Sequence, residues 1–163
     1  MTGPVSAHRL LELAQARGLH LAVAESLTGG LLADAVVSVP GASAVMRGAV
    51  VAYATELKAQ LLGVDPELLA RTGPVHAEVA KQMAVGVARL MGADLGLATT
   101  GVAGPGPADG YQAGTVHVAA WSEWGVLHRE LHLSGGRQQV RDSSVLAALK
   151  LGVALLEANG ARV

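Results

Sequence analysis

LHLAVAESLTGG, residues 19–30, packs an apolar run, a break and a helix start into one short stretch. Leu19, Leu21 and Val23 read as a buried strand over Leu19–Ala24. The run stops at Ala24-Glu25-Ser26, and a helix is expected from Thr28 to Val37, followed by a turn at Pro40-Gly41. Strand, tight turn and helix start with a serine at the tip is one way to expose a nucleophile, and the free N–H groups of a helix start also hold anions. Taken alone, the same serine reads more readily as a plain N-cap, because that is what Ser commonly does at helix starts.

Working outward, the chain alternates strands and helices. A first helix is expected to be capped by Ser6 and ended by Gly18, with Leu10, Leu13 and Ala14 on one face. Gly48–Ala54 reads as a second strand. Thr55 reads as the cap of a short helix to Leu62, and Asp65-Pro66 opens another. A longer helix from His76 or Ala77 to Leu90 carries Val79, Met83, Val87 and Leu90 as its buried stripe. Asp94–Thr100 is a third strand, Thr115–Trp121 a fourth and Val126–Leu133 a fifth, the last two joined by a hairpin at Glu123-Trp124-Gly125. A final helix spans about Gln138–Ala158. The expectation is an α/β fold, a three-layer α/β/α sandwich around a mixed sheet of about five strands, as one domain over residues 1–163.

Composition narrows the function classes. The 163 residues are 51% apolar and 15% charged, with a net charge of -1 and no basic cluster, which argues against a nucleic-acid surface. The absence of Cys excludes disulfides, thiol catalysis and Cys-ligated zinc. There is no Phe, with two Trp and two Tyr, so Ala, Val and Leu must fill the core. MTGPVSAHRL does not read as a signal peptide and no apolar run is long enough to cross a membrane; a cytoplasmic protein with no membrane partner is expected.

Three strand ends carry polar groups: Ser26 with Thr28-Gly29-Gly30, Tyr53 with Lys58 nearby, and Thr100 opening the loop Gly101–Gly114. Ligands in open α/β sheets sit outside the carboxyl ends of strands. Ser26 does not lie in a nucleophile elbow, because Ala24 and Thr28 stand where Gly-x-Ser-x-Gly needs glycines. Lys58 is one of only three lysines; it is either a solvated helix residue or, if buried, a base. Tyr53 is either a core aromatic or a phenol relaying a proton between Ser and Lys. The loop's five glycines fit neither a dinucleotide fingerprint nor a P-loop, yet Gly101, Gly104 and Gly106 would let backbone N–H groups approach an anion. Glu25 is either a base or a first-turn acid. Arg137 and Arg141, one turn apart, either clamp a phosphate or pair with surface acids. His117, His128 and His132 read as the polar outer face of an edge hairpin rather than a metal site.

Together these residues resemble the C-terminal domain of the CinA family, the PncC-type nicotinamide-nucleotide amidases, in a stand-alone form. The resemblance rests on AESLTGGLLADAVVSVPGAS, RGAVVAYATELKAQLLGV, GPVHAEVAKQMAVG, LGLATTGVAGPG with GTVHVA, and GGRQQVRDSSV, in family order from about Val23 to Val145. It implies hydrolysis of nicotinamide mononucleotide to nicotinate mononucleotide and ammonia, with no cofactor and no metal. Ser26 matches the nucleophile, Lys58 and Tyr53 the residues that activate it, and Thr100 a threonine lining the site. Thr28, Gly29, Gly30, Gly101, Gly104 and Gly106 match backbone that contacts substrate, and Arg137 is a candidate for its phosphate. Leu27, Thr55 and the loop GPGPADGYQAG depart from the family pattern, which puts pocket width and substrate preference in question. The alternatives are a non-catalytic pyridine-nucleotide-binding or regulatory module linked to competence or DNA damage, and an amidase acting on another carboxamide. An exposed hairpin edge and Ala-rich helices suggest a homodimer.

Overall fold

The computed structural model describes residues 3–160; positions 1, 2 and 161–163 of the expected domain lie outside the described residues. In chain order the elements are α1 (Gly3–Gln15), β1 (Leu21–Glu25), α2 (Leu31–Val37), β2 (Met46–Val51), α3 (Thr55–Leu62), α4 (Pro66–Thr72), α5 (Ala77–Met91), β3 (Leu95–Gly101), β4 (Thr115–Ser122), β5 (Gly125–His132) and α6 (Arg137–Ala158). The five strands form one mixed sheet in the order β2-β1-β3-β4-β5. β1 runs parallel to both β2 and β3, whereas β3–β4 and β4–β5 are antiparallel. The expected α/β sandwich is the fold observed.

Helices cover both faces, which is why β1 is buried at every position and reads as a continuous apolar run. Leu21, Val23, Leu95, Leu97, Val116 and Val118 point into the layer containing α1, α2 and α6. Ala22, Ala24, Ala98 and Ala119 point the other way, toward Val79, Met83 and Val87 of α5. The second face is thus built from small side chains, and α5 packs close to it. A Cβ on Gly96 would lie 1.9 Å from the Ala84 carbonyl oxygen of α5. On the far side of α5, a Cβ on Gly86 would lie 1.8 Å from the Leu62 oxygen at the end of α3. Backbones this close leave no room for Phe, so the aromatic-poor composition has a packing correlate.

Several boundaries differ from the sequence reading. Ser6 does not cap α1; it lies inside the helix, fully buried. α2 starts at Leu31 rather than Thr28, because residues 28–30 form the turn, with Gly29 and Gly30 at positive φ (56° and 105°). Thr55 is the first helical residue of α3 and Ala54 the cap, without a side-chain hydrogen bond. Leu90 is exposed, because the stripe of α5 turns off the sheet before the helix ends. The Asp65 cap is as expected: its carboxylate accepts from the Glu67 N–H at 2.9 Å. The histidines correct the edge-hairpin expectation. β5 is the edge strand, but His117 on β4 is buried, stacked on His128 with Nδ1 and Nε2 3.0 Å apart. His76, the N-cap of α5, lies over this pair with its ring centroid 6.5 Å from that of His117. Only His132 behaves as an outer-face residue, paired with Glu130 at 3.2 Å. No helix among the described residues is long and apolar enough to cross a membrane.

Candidate active site

The three neighbouring parallel strands β2, β1 and β3 end on the same side of the sheet. Their carboxyl ends deliver Tyr53, Ser26 and Thr100 to one cavity of about 280 Å³. This is the position at which open α/β sheets bind ligands. Leu27, Thr55, Lys58, Pro74, Gly101, Gly104, Gly106, Asp109 and Arg137 also line it.

Ser26 sits where the chain leaves β1. Its N–H donates to the Thr99 carbonyl at 3.1 Å, which fixes the exit from the strand. The turn beyond is held from three sides. Glu25, wholly buried, takes the place that the sequence reading left to a serine cap. Its Oε2 accepts from the N–H groups of Gly30 (3.1 Å) and Leu32 (3.0 Å), and its Oε1 from Ala33 (2.9 Å). A carboxylate that accepts several N–H groups at a helix start satisfies both the orphan donors and the dipole. Glu25 is therefore a structural acceptor, not a base facing the cavity. Arg141 binds the turn's carbonyls, with Nε 3.0 Å from Leu27 O and Nη2 3.0 Å from Thr28 O. That contact replaces the phosphate-clamp and surface-pair readings of Arg141. Thr28 Oγ1 and Thr99 Oγ1 share a buried hydrogen bond of 2.7 Å beneath the turn.

Lys58 is 1% exposed, so the solvated-helix reading of it does not hold. α3 turns back under the β2 end, and Lys58 Nζ donates to Ala52 O at 2.8 Å and to Ser26 Oγ at 3.1 Å. Burial lowers its pKa from 10.5 to about 8; Asp109 and then Glu56 pull in the other direction. At that value a useful fraction of the amine is neutral near physiological pH. A neutral amine keeps one N–H on Ala52 and offers its lone pair to the serine hydroxyl. Ser26 and Lys58 thus form a nucleophile and base within hydrogen-bond reach.

Tyr53 lines the cavity but is largely exposed, and its hydroxyl accepts from Arg137 Nη2 at 3.2 Å. Arg137 Nη1 donates to Gly104 O at 2.7 Å, so one arginine ties the β2 end to the glycine-rich loop while its side chain faces the cavity. Thr100 Oγ1 donates to Pro74 O at 2.7 Å and fastens the α4–α5 connection against β3. Thr28, Gly29 and Gly30 lie outside the cavity lining; what they contribute is the turn that aims Ser26. Gly101, Gly104 and Gly106 line it, and a Cβ on Gly101 would lie 2.7 Å from Thr115 O, so this glycine is required by the β3–β4 pairing. Asp109 was not singled out from the sequence. The signal available was the Asp109-Gly110 dipeptide, a two-residue turn in the middle of the loop.

Comparison with known proteins places this geometry in a family. A model of the CinA C-terminal domain matches residues 5–156. A "CinA-like protein" of Frankia casuarinae is 49% identical over 142 residues, 87% of this chain and 33% of that protein. A "putative competence-damage inducible protein" of Desulforamulus reducens is 44% identical over 140 residues, 86% of this chain and 34% of that protein. The chain therefore spans about a third of the length of these curated relatives. Among solved structures, a competence/damage inducible protein from Agrobacterium tumefaciens superposes with a TM-score of 0.90 at 36% identity, covering 94% of each chain. A competence damage-inducible protein from Klebsiella pneumoniae superposes with a TM-score of 0.91 at 31% identity over 100% of both. The chain belongs to the CinA C-terminal domain family.

Proposed function

We propose that this chain is an amidase that hydrolyses nicotinamide mononucleotide to nicotinate mononucleotide and ammonia. The observation that carries the reading is the 3.1 Å contact between Ser26 Oγ and the buried Lys58 Nζ at the floor of the cavity. Neutral Lys58 takes the hydroxyl proton as Ser26 Oγ attacks the carboxamide carbon. The carbonyl oxygen becomes an oxyanion beside the start of the 26–30 turn. Gly30, Leu32 and Ala33 give their N–H groups to Glu25. The N–H groups of Leu27 and Thr28 make no hydrogen bond among the described residues, and of the two only Leu27 lines the cavity, so its N–H is the donor offered to the oxyanion. Protonated Lys58 then returns its proton to the leaving nitrogen, and ammonia departs from the acyl-serine. A water molecule gives a proton to Lys58 and attacks the ester, and the carboxylate product leaves as Ser26 is reprotonated. This route is direct from Lys58 to Ser26. Tyr53, held by Arg137, acts on the substrate side of the cavity rather than as a relay. Arg137, at the exposed end of the cavity, supplies the positive charge for a phosphate.

The test is ammonia release from nicotinamide mononucleotide. Wild type should turn over, and Ser26→Ala and Lys58→Met should each lose at least about a thousandfold, as removal of a nucleophile or its base does elsewhere. No release by the wild type, or full release by Ser26→Ala, refutes the reading. Binding without release would favour a regulatory module, and release from other carboxamides alone would favour a different amidase.

A further inference from the structure

Among the described residues Asp109 is the sole carboxylate lining the cavity, and the reaction as derived above makes no use of it. Its position is set by the chain itself. Ala108 and Tyr111 exchange both backbone hydrogen bonds, at 3.0 and 2.9 Å, which closes a two-residue turn with Asp109 and Gly110 at its tip. Both tip residues have positive φ, 52° and 82°, the left-handed conformation such turns require and that Asp tolerates better than most side chains. The Asp109 Cβ lies 4.0 Å from where a side chain on Gly73 would begin, next to the Pro74 carbonyl that Thr100 holds. Among the described residues Asp109 makes no ion pair or side-chain hydrogen bond, although Lys58 and Arg137 line the same cavity.

An unpaired acid in the mouth of a site would repel a nucleotide phosphate. It helps only if the reacting end of the substrate is positive. The pyridine ring of an oxidised nicotinamide nucleotide meets that condition: the glycosidic bond at the ring nitrogen leaves a full positive charge on the ring that bears the carboxamide. Arg137, tied to Tyr53 and Gly104, offers the opposite charge for the phosphate. We propose that Asp109 is a specificity residue that selects substrates carrying a positive charge on the ring attached to the carboxamide. The inference rests on the amidase reading and names the substrate class of the same site. It also links binding to chemistry. Asp109 is the leading charge that favours protonated Lys58. A cationic ring beside Asp109 opposes that field, so the lysine gives up its proton more readily when the correct substrate is seated.

The experiment compares nicotinamide mononucleotide with its reduced dihydropyridine form, which keeps carboxamide, ribose and phosphate but has an uncharged ring. The readout is the ratio of kcat/KM for the cationic form to that for the neutral form, measured for wild type, Asp109→Asn and Asp109→Glu at low and high salt. Intrinsic differences in carboxamide reactivity cancel when the ratio is compared between variants. Asp109→Asn, which suits the same turn, should lower the ratio by about two- to fivefold, the range for an exposed charge pair. Asp109→Glu should recover part of it, and high salt should shrink the difference. In parallel, the acid limb of kcat/KM for Asp109→Asn should move to lower pH, because the charge that holds the proton on Lys58 is gone. An unchanged ratio, or equal losses on both forms, overturns the inference while leaving the amidase reading intact. If wild type hydrolyses neither form, the amidase reading fails instead. Calorimetric binding of the two forms then decides the inference, which needs tighter binding of the cation by wild type and loss of that preference in Asp109→Asn.

Discussion

The pH dependence of kcat/KM is the sharpest consequence of the buried lysine. Lys58 must be neutral to accept the Ser26 proton, and burial brings its pKa to about 8. Activity is therefore present above that value and lost as pH falls through it. The neutral fraction is about 9% at pH 7, half at pH 8 and about 91% at pH 9, a tenfold rise that bends near pH 8. A lysine at its ordinary value would instead give about a hundredfold rise over the same interval with no bend. The assay is ammonia release under substrate-limiting conditions from pH 6.5 to 10. A profile that climbs with unit slope through pH 9.5, or one flat across the range, refutes the argument. The same group leaves a mark on stability. Between about pH 8 and 10.5 the unfolded chain holds a proton on this lysine that the folded chain has released, so folding stability rises with pH across that window. Below pH 8 the full cost of burying the charge is present, about 3 kcal/mol. Lys58→Met should remove this rise, flattening the stability profile above pH 8 while abolishing activity.

Three further outcomes follow from the packing. Glu25→Gln puts an amide N–H₂ where a carboxylate oxygen met a backbone N–H, and should cost about 1–3 kcal/mol in urea unfolding; an unchanged midpoint would contradict the capping role. Arg141→Ala should lower kcat severalfold with little change in KM, because it frees the Leu27 and Thr28 carbonyls without touching the cavity; a pure KM effect would assign Arg141 to substrate binding. Gly86→Ala should destabilise by more than about 2 kcal/mol, because its methyl would overlap the Leu62 carbonyl and force α3 and α5 apart; wild-type stability would refute that crossing.

The order and type of the elements were legible in the chain because its punctuation is strong. Asp65-Pro66, Gly63 and the Glu123-Trp124 hairpin mark boundaries that local chemistry alone determines. Ser26, Lys58, Tyr53 and Thr100 were identifiable as a group by resemblance, and they do converge on one cavity. What local reading missed came from tertiary partners. Ser6 looked like a cap because caps are a local pattern, yet α1 continues on both sides of it. Thr28 looked like a helix start, but the acceptor for α2 is a glutamate reaching forward from the strand before it. His117 looked exposed because strand alternation cannot say that α5 covers that face. For Arg141 the sequence offered a phosphate clamp or a surface ion pair and not the carbonyls it binds, because those partners lie more than a hundred residues earlier in the chain.

The double anchoring of the 26–30 turn has an entropic consequence. Glu25 holds the Gly30 N–H and the first N–H groups of α2, and Arg141 the Leu27 and Thr28 carbonyls, all from within the protein, so ordering the nucleophile's loop belongs to folding rather than to catalysis. Substrate then meets a site whose shape does not wait for it. The binding free energy of the nucleotide's ribose and phosphate is free to strain or desolvate the carboxamide instead of assembling the machinery that attacks it.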